Sequence, residues 1–170
     1  MYLIRKIFIL FIFISILISC HSKKQSQIPS DKEMIDSFLL RENEFNSFKE
    51  YIFNDSGFKN YPLVRNFKDS LKIKNLDYVK KVKENLNIIR VYKIDDYIEI
   101  TTFEKGNSTW GIEKGYYYKK GKMDDFQHKY NSEKVVEGDL WEECRKIGEN
   151  NFTVYKNIKG NWYLFLRYDK

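Results

Sequence analysis

Phe152-Thr153-Val154-Tyr155-Lys156-Asn157-Ile158 and Trp162-Tyr163-Leu164-Phe165-Leu166-Arg167-Tyr168 are two β-rich runs, separated by Lys159-Gly160-Asn161. Gly-Asn between such runs is the signature of a tight hairpin. Side chains alternate across a strand. The second run therefore puts Trp162, Leu164, Leu166 and Tyr168 on one face, and Tyr163, Phe165 and Arg167 on the other. A strand apolar on both faces belongs at the centre of a sheet or is covered on both sides.

Upstream, the period-2 pattern extends back to residue 88. Ile88 to Ile94 and Tyr97 to Phe103 flank Asp95-Asp96, a plausible turn. Lys105-Gly106-Asn107-Ser108 marks another turn, and Thr109 to Glu113 and Tyr116 to Lys120 read as further strands. The stretch from Met123 to Leu140 is too long for an ordinary hairpin loop, and Val135-Val136 within it suggests a hidden strand.

Before residue 88 the period is helical. Ser30-Asp31-Lys32-Glu33 is a capping-box pattern, followed by an apolar stripe at Ile35, Phe38, Leu39, Phe45, Phe48 and Ile52. Glu42 interrupts the stripe and predicts a bend or break. Asn54-Asp55-Ser56-Gly57 offers a stop, with Gly57 for a left-handed cap. A second helix is predicted from Leu76 to Leu86, capped by Asn75. Tyr61-Pro62 argues against one helix running through Phe58 to Lys74.

Helices first and strands afterwards give an α+β class: N-terminal helices packed on a curved antiparallel sheet of about six strands. The order of elements is similar in outline to the cystatin-like and nuclear-transport-factor-like folds. That resemblance implies a cup between helices and sheet, which in such folds often holds a small molecule and often holds nothing.

The chain has 170 residues, 30 Lys+Arg, 24 Asp+Glu, two His and two Cys, one domain's worth of sequence with little material for a zinc site or a disulfide scaffold. It contains no alanine, while Ile, Lys, Asn, Phe and Tyr abound. These residues share AT-rich codons, so the aromatic content and the formal charge of +6 reflect genome composition as readily as function.

The first twenty residues divide into a short positive region (Arg5, Lys6), an apolar run from Ile7 to Ile16, and Leu17-Ile18-Ser19-Cys20. The first two parts describe a secretory signal. The apolar run is short for a span, which needs about 20 residues. Leu17-Ile18-Ser19-Cys20 resembles the lipobox of bacterial lipoproteins: an aliphatic residue, a tolerant position, a small residue and Cys. The resemblance implies a diacylglycerol on the Cys20 sulfur and cleavage after Ser19; an uncleaved anchor with an incidental Cys is the alternative. The chain then divides into a signal peptide at 1–19, a lipidated Cys and flexible tether at 20–30, and one α+β domain at 31–170. Without Arg5 and Lys6 the mature chain keeps 28 basic against 24 acidic side chains, and its compartment argues against nucleic acid as partner. No Asp follows Cys20, and His21-Ser22-Lys23-Lys24 stands where surface-exported lipoproteins carry an acidic run. The resemblance therefore implies attachment at the periplasmic face of the outer membrane.

No catalytic motif appears in the domain, and no cofactor or metal is expected. Cys144, in Trp141-Glu142-Glu143-Cys144-Arg145, is the one thiol left after lipidation. A thiol nucleophile would need His128, with Glu142 or Asp125 in support. Adjacent Glu142 and Glu143 work against a thiolate, and the bland alternative is a buried Cys on a strand. The acidic pairs Asp95-Asp96, Asp124-Asp125 and Glu142-Glu143 lack the spacing that glycosidases or calcium loops require. Tyr116 and Tyr118, which share a strand face next to Lys119 and Lys120, are candidates for stacking on a glycan or anionic polymer, and His128 and Trp141 complete the candidate binding residues. The reading that follows is a membrane-anchored, non-catalytic binding domain. Its partner is a small ligand in the helix–sheet cup, or a protein, as in an immunity or inhibitor role. The rival is a hydrolase or thiol enzyme built on Cys144 and His128.

Overall fold

A computed structural model describes residues 27–55, 62–63, 75–106, 111–121, 123, 126–128, 131–147 and 151–169. The signal segment, Cys20, the stretch 64–74, Asn107, Ser108, Asp124 and Asp125 lie outside these residues. The C-terminal hairpin forms where the sequence places it. Strands β7 (Asn151–Lys159) and β8 (Trp162–Asp169) pair antiparallel around Gly160, whose φ of +55° is a conformation that favours glycine. The Asn157 side-chain amide donates to the Gly160 carbonyl at 2.9 Å and closes the turn.

On its other edge β8 pairs with β4 (Gly111–Lys119), so β8 is central, as its two apolar faces require. With β1 (Pro62–Leu63), β2 (Arg90–Ile94), β3 (Tyr97–Gly106), β5 (Phe126–His128) and β6 (Asn131–Val135), the described residues form one sheet in the order β1-β2-β3-β4-β8-β7-β6-β5. Six strands of five residues or more make its body, and two short strands, β1 and β5, blunt its edges.

Three details differ from the sequence reading. Thr109–Glu113 and Tyr116–Lys120 are not two strands: Gly111 to Lys119 is one, because Gly115 stays in the ladder opposite Thr101 and Phe165. The stretch 123–140 holds two strands, β5 and β6. Then comes a helix, α4 (Leu140–Ile147), so the helices are not all N-terminal and Cys144 lies on a helix rather than a strand. Because α4 carries the chain back before β7 begins, β6 and β7 pair in parallel; the other pairs are antiparallel.

The remaining helices are α1 (Asp31–Leu40), α2 (Glu42–Asn54) and α3 (Leu76–Asn85). Ser30 and Glu33 make the reciprocal capping box, and the Asn75 side chain accepts from the Tyr78 amide at 3.1 Å. The break predicted at Glu42 falls one residue earlier, at Arg41, whose guanidinium donates to the Asn85 carbonyl and braces the corner on α3. Asp55 caps α2 in an extended conformation, and Gly57 lies outside the described residues.

Helix α1 climbs strand β4. Asp31 meets Lys114, the Met34 carbonyl accepts from the Tyr116 hydroxyl at 3.0 Å, and the Phe38 ring lies 5.3 Å from that of Trp162. Phe38, Phe45, Phe48, Ile52, Tyr116 and Trp162 fill the space between helices and sheet, each 4% exposed or less. Burying such a side chain contributes roughly 1.5–3 kcal/mol. Among the described residues no helix is long and apolar enough to cross a membrane.

Candidate binding face

The side chains of β8 that turn away from the helices begin a second, smaller cluster. Tyr117, Met123, Tyr155, Tyr163 and Phe165 are buried there, with Tyr97 and Val135 packed against them. Register organises this face in rows. Glu99, Tyr117 and Tyr163 align across β3, β4 and β8. Thr101, Gly115, Phe165, Tyr155 and Val135 form the next row, and Glu113, Arg167, Thr153 and Glu133 the third. Tyrosines thus crowd the end nearer the β2–β3 and β7–β8 turns, and charges the other.

The tyrosine rings lean together over the sheet. Tyr97 and Tyr117 stack with centroids 5.1 Å apart. Tyr117 and Tyr155, from strands separated by β8, come to 4.9 Å. Glycine at 115 makes this packing feasible. A Cβ there would lie 2.0 Å from the Ile100 carbonyl oxygen and 2.9 Å from the Phe165 ring.

Arg167 organises the charged rows. Its guanidinium donates to both carboxylate oxygens of buried Glu99, at 2.6 and 3.1 Å, to Glu113 at 3.2 Å, and to the Thr153 hydroxyl at 3.4 Å. The bidentate fork matches carboxylate geometry. Arg90 closes the network by pairing with Glu113. Burial works against the Arg167 charge, but Glu99 and Glu113 more than compensate and hold it protonated.

Several polar groups on this face are left over. Burial pushes the phenols of Tyr97, Tyr117 and Tyr155 well above the usual range, reinforced by neighbouring charges including Glu133 and Glu99. These hydroxyls stay protonated and make no hydrogen bond among the described residues. Burial also raises the Glu133 carboxyl against the partial relief of Arg167 and Lys119, and no ion pair forms there among the described residues. The Thr101 Oγ1 is the one fully buried side-chain polar atom without a partner among the described residues. The centre of this face is closed, with Tyr155 2% and Phe165 0% exposed, and Tyr97, Glu133 and Arg167 are half-buried at its rim.

The residues singled out from sequence lie elsewhere and apart. Tyr116 is 3% exposed, turns towards the helices and packs its ring on Phe45 at 4.5 Å. It is a core residue, because the face it shares with Tyr118 is the helix-facing one. Tyr118 is half-buried on that face, with the Lys49 ammonium 4.6 Å over its ring. Trp141 is half-buried on α4 beneath the Arg145 guanidinium. The His128 backbone pairs with Asn131 in β5, and its side chain lies outside what is described. Cys144 is buried on α4, and burial pushes its thiol up to about 12. A thiol held there is protonated at neutral pH, the opposite of an activated nucleophile. Glu142, its suggested helper, is exposed and paired with Arg145.

The chain matches no protein-family model, no curated protein and no solved structure. The helix–sheet space that the cup reading requires is occupied by the aromatic core. An open depression of about 330 Å³ lies instead on α3 and the turn after it, lined by Lys80, Lys83, Glu84, Asn87 and Ile88. Among the described residues the large apolar side chains left exposed are Leu39, Leu40 and Ile89, aliphatic rather than aromatic. No group of three or more His, Cys, Asp or Glu among the described residues has the arrangement of a metal site.

Sequence reasoning missed Tyr97, Glu99, Tyr117, Tyr155, Glu133 and Arg167. Part of the signal was present: Tyr97 and Glu99 alternate with Ile98 and Ile100, as Tyr163, Phe165 and Arg167 alternate with the core-facing residues of β8.

Proposed function

We propose that this chain is a bacterial lipoprotein, anchored through acylated Cys20 at the periplasmic face of the outer membrane, whose folded domain is a non-catalytic module that binds a protein partner. The observation that carries the binding assignment is the sheet face opposite the helices. At its rim it presents the half-buried Tyr97 ring, the Glu133 carboxyl, which has no ion-pair partner among the described residues, and the Arg167 guanidinium, all on rigid strands. Tyrosine and arginine are the residue types that dominate protein interfaces. The filled helix–sheet space favours a protein over a small ligand in a cup.

Two measurements test this reading. Membrane fractionation should find the full chain in the envelope and Cys20→Ala released; equal retention of both would contradict the lipid anchor. Native mass spectrometry of residues 21–170, exported without the lipid, should give the bare protein mass. A retained small-molecule adduct would replace the protein-partner reading with the ligand reading and identify the ligand class by mass.

A further inference from the structure

The lipid reading supplies an anchor point, and the fold shows where the chain from that point is seized. Ile28 packs against the main core, and the Pro29 carbonyl accepts from the Lys114 ammonium at 2.6 Å. Two residues later Asp31 is 4% exposed and bonded on every side. Its Oδ1 accepts from Lys114 at 2.7 Å, and its Oδ2 from the Leu140 amide at 2.9 Å and from Lys156 at 3.3 Å. Eight peptide steps separate Cys20 from Ile28. Fully extended they reach about 28 Å, and a relaxed chain of that length spans about 16 Å.

The attachment is off-centre. Lys114 is three residues from the Gly111 end of β4, about 10 Å, and five from the Lys119 end, about 17 Å. Beyond Lys119 stand the turns at Asp95-Asp96 and Gly160-Asn161, whose carbonyls accept from the Lys120 and Lys119 amides. Helix α1 leaves the attachment in that direction, towards Trp162. Helix α4 starts at the attachment, and its far end precedes Asn151, which opposes Asp169 at the Gly111 end of the sheet.

We infer that the Gly111 end of the sheet, with the C-terminal half of α4, faces the phospholipid surface, and that the turn end faces away from it. This rests on the lipid-anchor reading above. With that end down, a relaxed tether covers the 10 Å between attachment and sheet edge. With the domain inverted, the attachment stands about 17 Å plus the turns above the bilayer, and the tether must be drawn out beyond its relaxed span of about 16 Å, losing conformational entropy. The tyrosine rows sit in the upper half of the sheet, so in this orientation they are presented across the compartment rather than into the membrane.

The test uses the lipidated full chain with Cys144→Ala, which removes the other thiol of the mature protein. A fluorophore is placed at Lys146→Cys on α4 or at Asp96→Cys in the upper turn. Protein is reconstituted on phosphatidylethanolamine–phosphatidylglycerol vesicles carrying a headgroup quencher. Glu142→Cys and Asn161→Cys repeat the comparison should either first variant fail to fold. The probe on α4 should be quenched at least ~2-fold more than the probe on the turn, given a height difference above about 17 Å. Equal or reversed quenching on protein that floats with the vesicles overturns the orientation and leaves the anchor standing. Protein that does not float, or a Cys20→Ala chain that floats equally, overturns the anchor and the orientation with it.

Discussion

The Asp31 carboxylate and the Lys114 ammonium, 83 positions apart in sequence, form a buried ion pair at 2.7 Å that fastens the start of the first helix to the fourth strand. Lys114 is 1% exposed. Removing one partner of such a pair strands a charge, a larger loss than the pair's net contribution. Lys114→Met should destabilise the domain by about 3 kcal/mol, the lower end of the usual range because Lys156 and the Leu140 amide still serve Asp31. Chemical denaturation measures this, and a change below about 1 kcal/mol would show the pair to be dispensable.

The same carboxylate predicts a pH dependence. Burial raises its pKa, but Lys114, the Leu140 amide and Lys156 together bring it below the ordinary value. A group depressed in the folded state stabilises above its unfolded pKa, near 3.9, and loses that contribution as pH falls through the folded value. The wild-type midpoint of denaturation should drop as pH falls from about 5 to below 3, and Asp31→Asn should flatten that drop. A variant whose pH profile parallels the wild type would contradict the assignment.

Glu133 works in the opposite sense. Burial raises its carboxyl, so ionisation at neutral pH opposes folding. A raised carboxyl contributes stability that is present below its unfolded pKa and is lost as pH rises through the folded value. Glu133→Gln should therefore stabilise the domain at pH 7, with the gain vanishing near pH 4, while weakening partner binding. Stability given up at a contact site is the usual trade. Gain of stability with unchanged binding would remove Glu133 from the proposed face.

Gly115 is fixed by crowding rather than by its backbone angles. Gly115→Ala drives a methyl group into the Ile100 carbonyl and the Phe165 ring. The expected loss is about 3 kcal/mol or more, since backbone cannot yield as a side-chain end does. The second cluster should loosen selectively, seen as faster amide exchange in β3 and β4.

Cys144 should be inert. With its thiol pushed up to about 12 and its side chain buried, native protein at pH 8 should react with a thiol reagent only after unfolding. Fast stoichiometric labelling of the folded domain would revive the nucleophile reading.

Much of the fold was legible because local signals agree with one another. The hairpin around Gly160, the capping box at Ser30, the Asn75 cap and the two-faced β8 all follow from nearby residues. The stretch 123–140 was not legible, because β5 and β6 are short and the parallel β6–β7 pairing is a long-range choice that no turn motif announces. Helix α4 escaped notice since its apolar positions, Leu140, Trp141, Cys144 and Ile147, are few and mixed with charges. The burial of Tyr116 was not legible for a related reason. Tyr116 and Tyr117 differ by one residue, and alternation says they face apart without saying which side the helices cover. The helices cover the Tyr116 side, which turned the expected stacking residue into core and put Tyr117 in the second, smaller cluster on the opposite face.

The central claim is that the rim of the sheet face opposite the helices, at Tyr97, Glu133 and Arg167, meets a protein partner. Site-specific photo-crosslinking tests it most directly: a photoreactive residue at Tyr97, half-buried at the rim of that face, and another at Lys32, exposed beside the tether attachment, in the lipidated protein in its own membrane. The account predicts one discrete crosslinked protein from position 97, absent from position 32 and diminished by Glu133→Gln. No adduct at 97, or the same adducts from both positions, would contradict it.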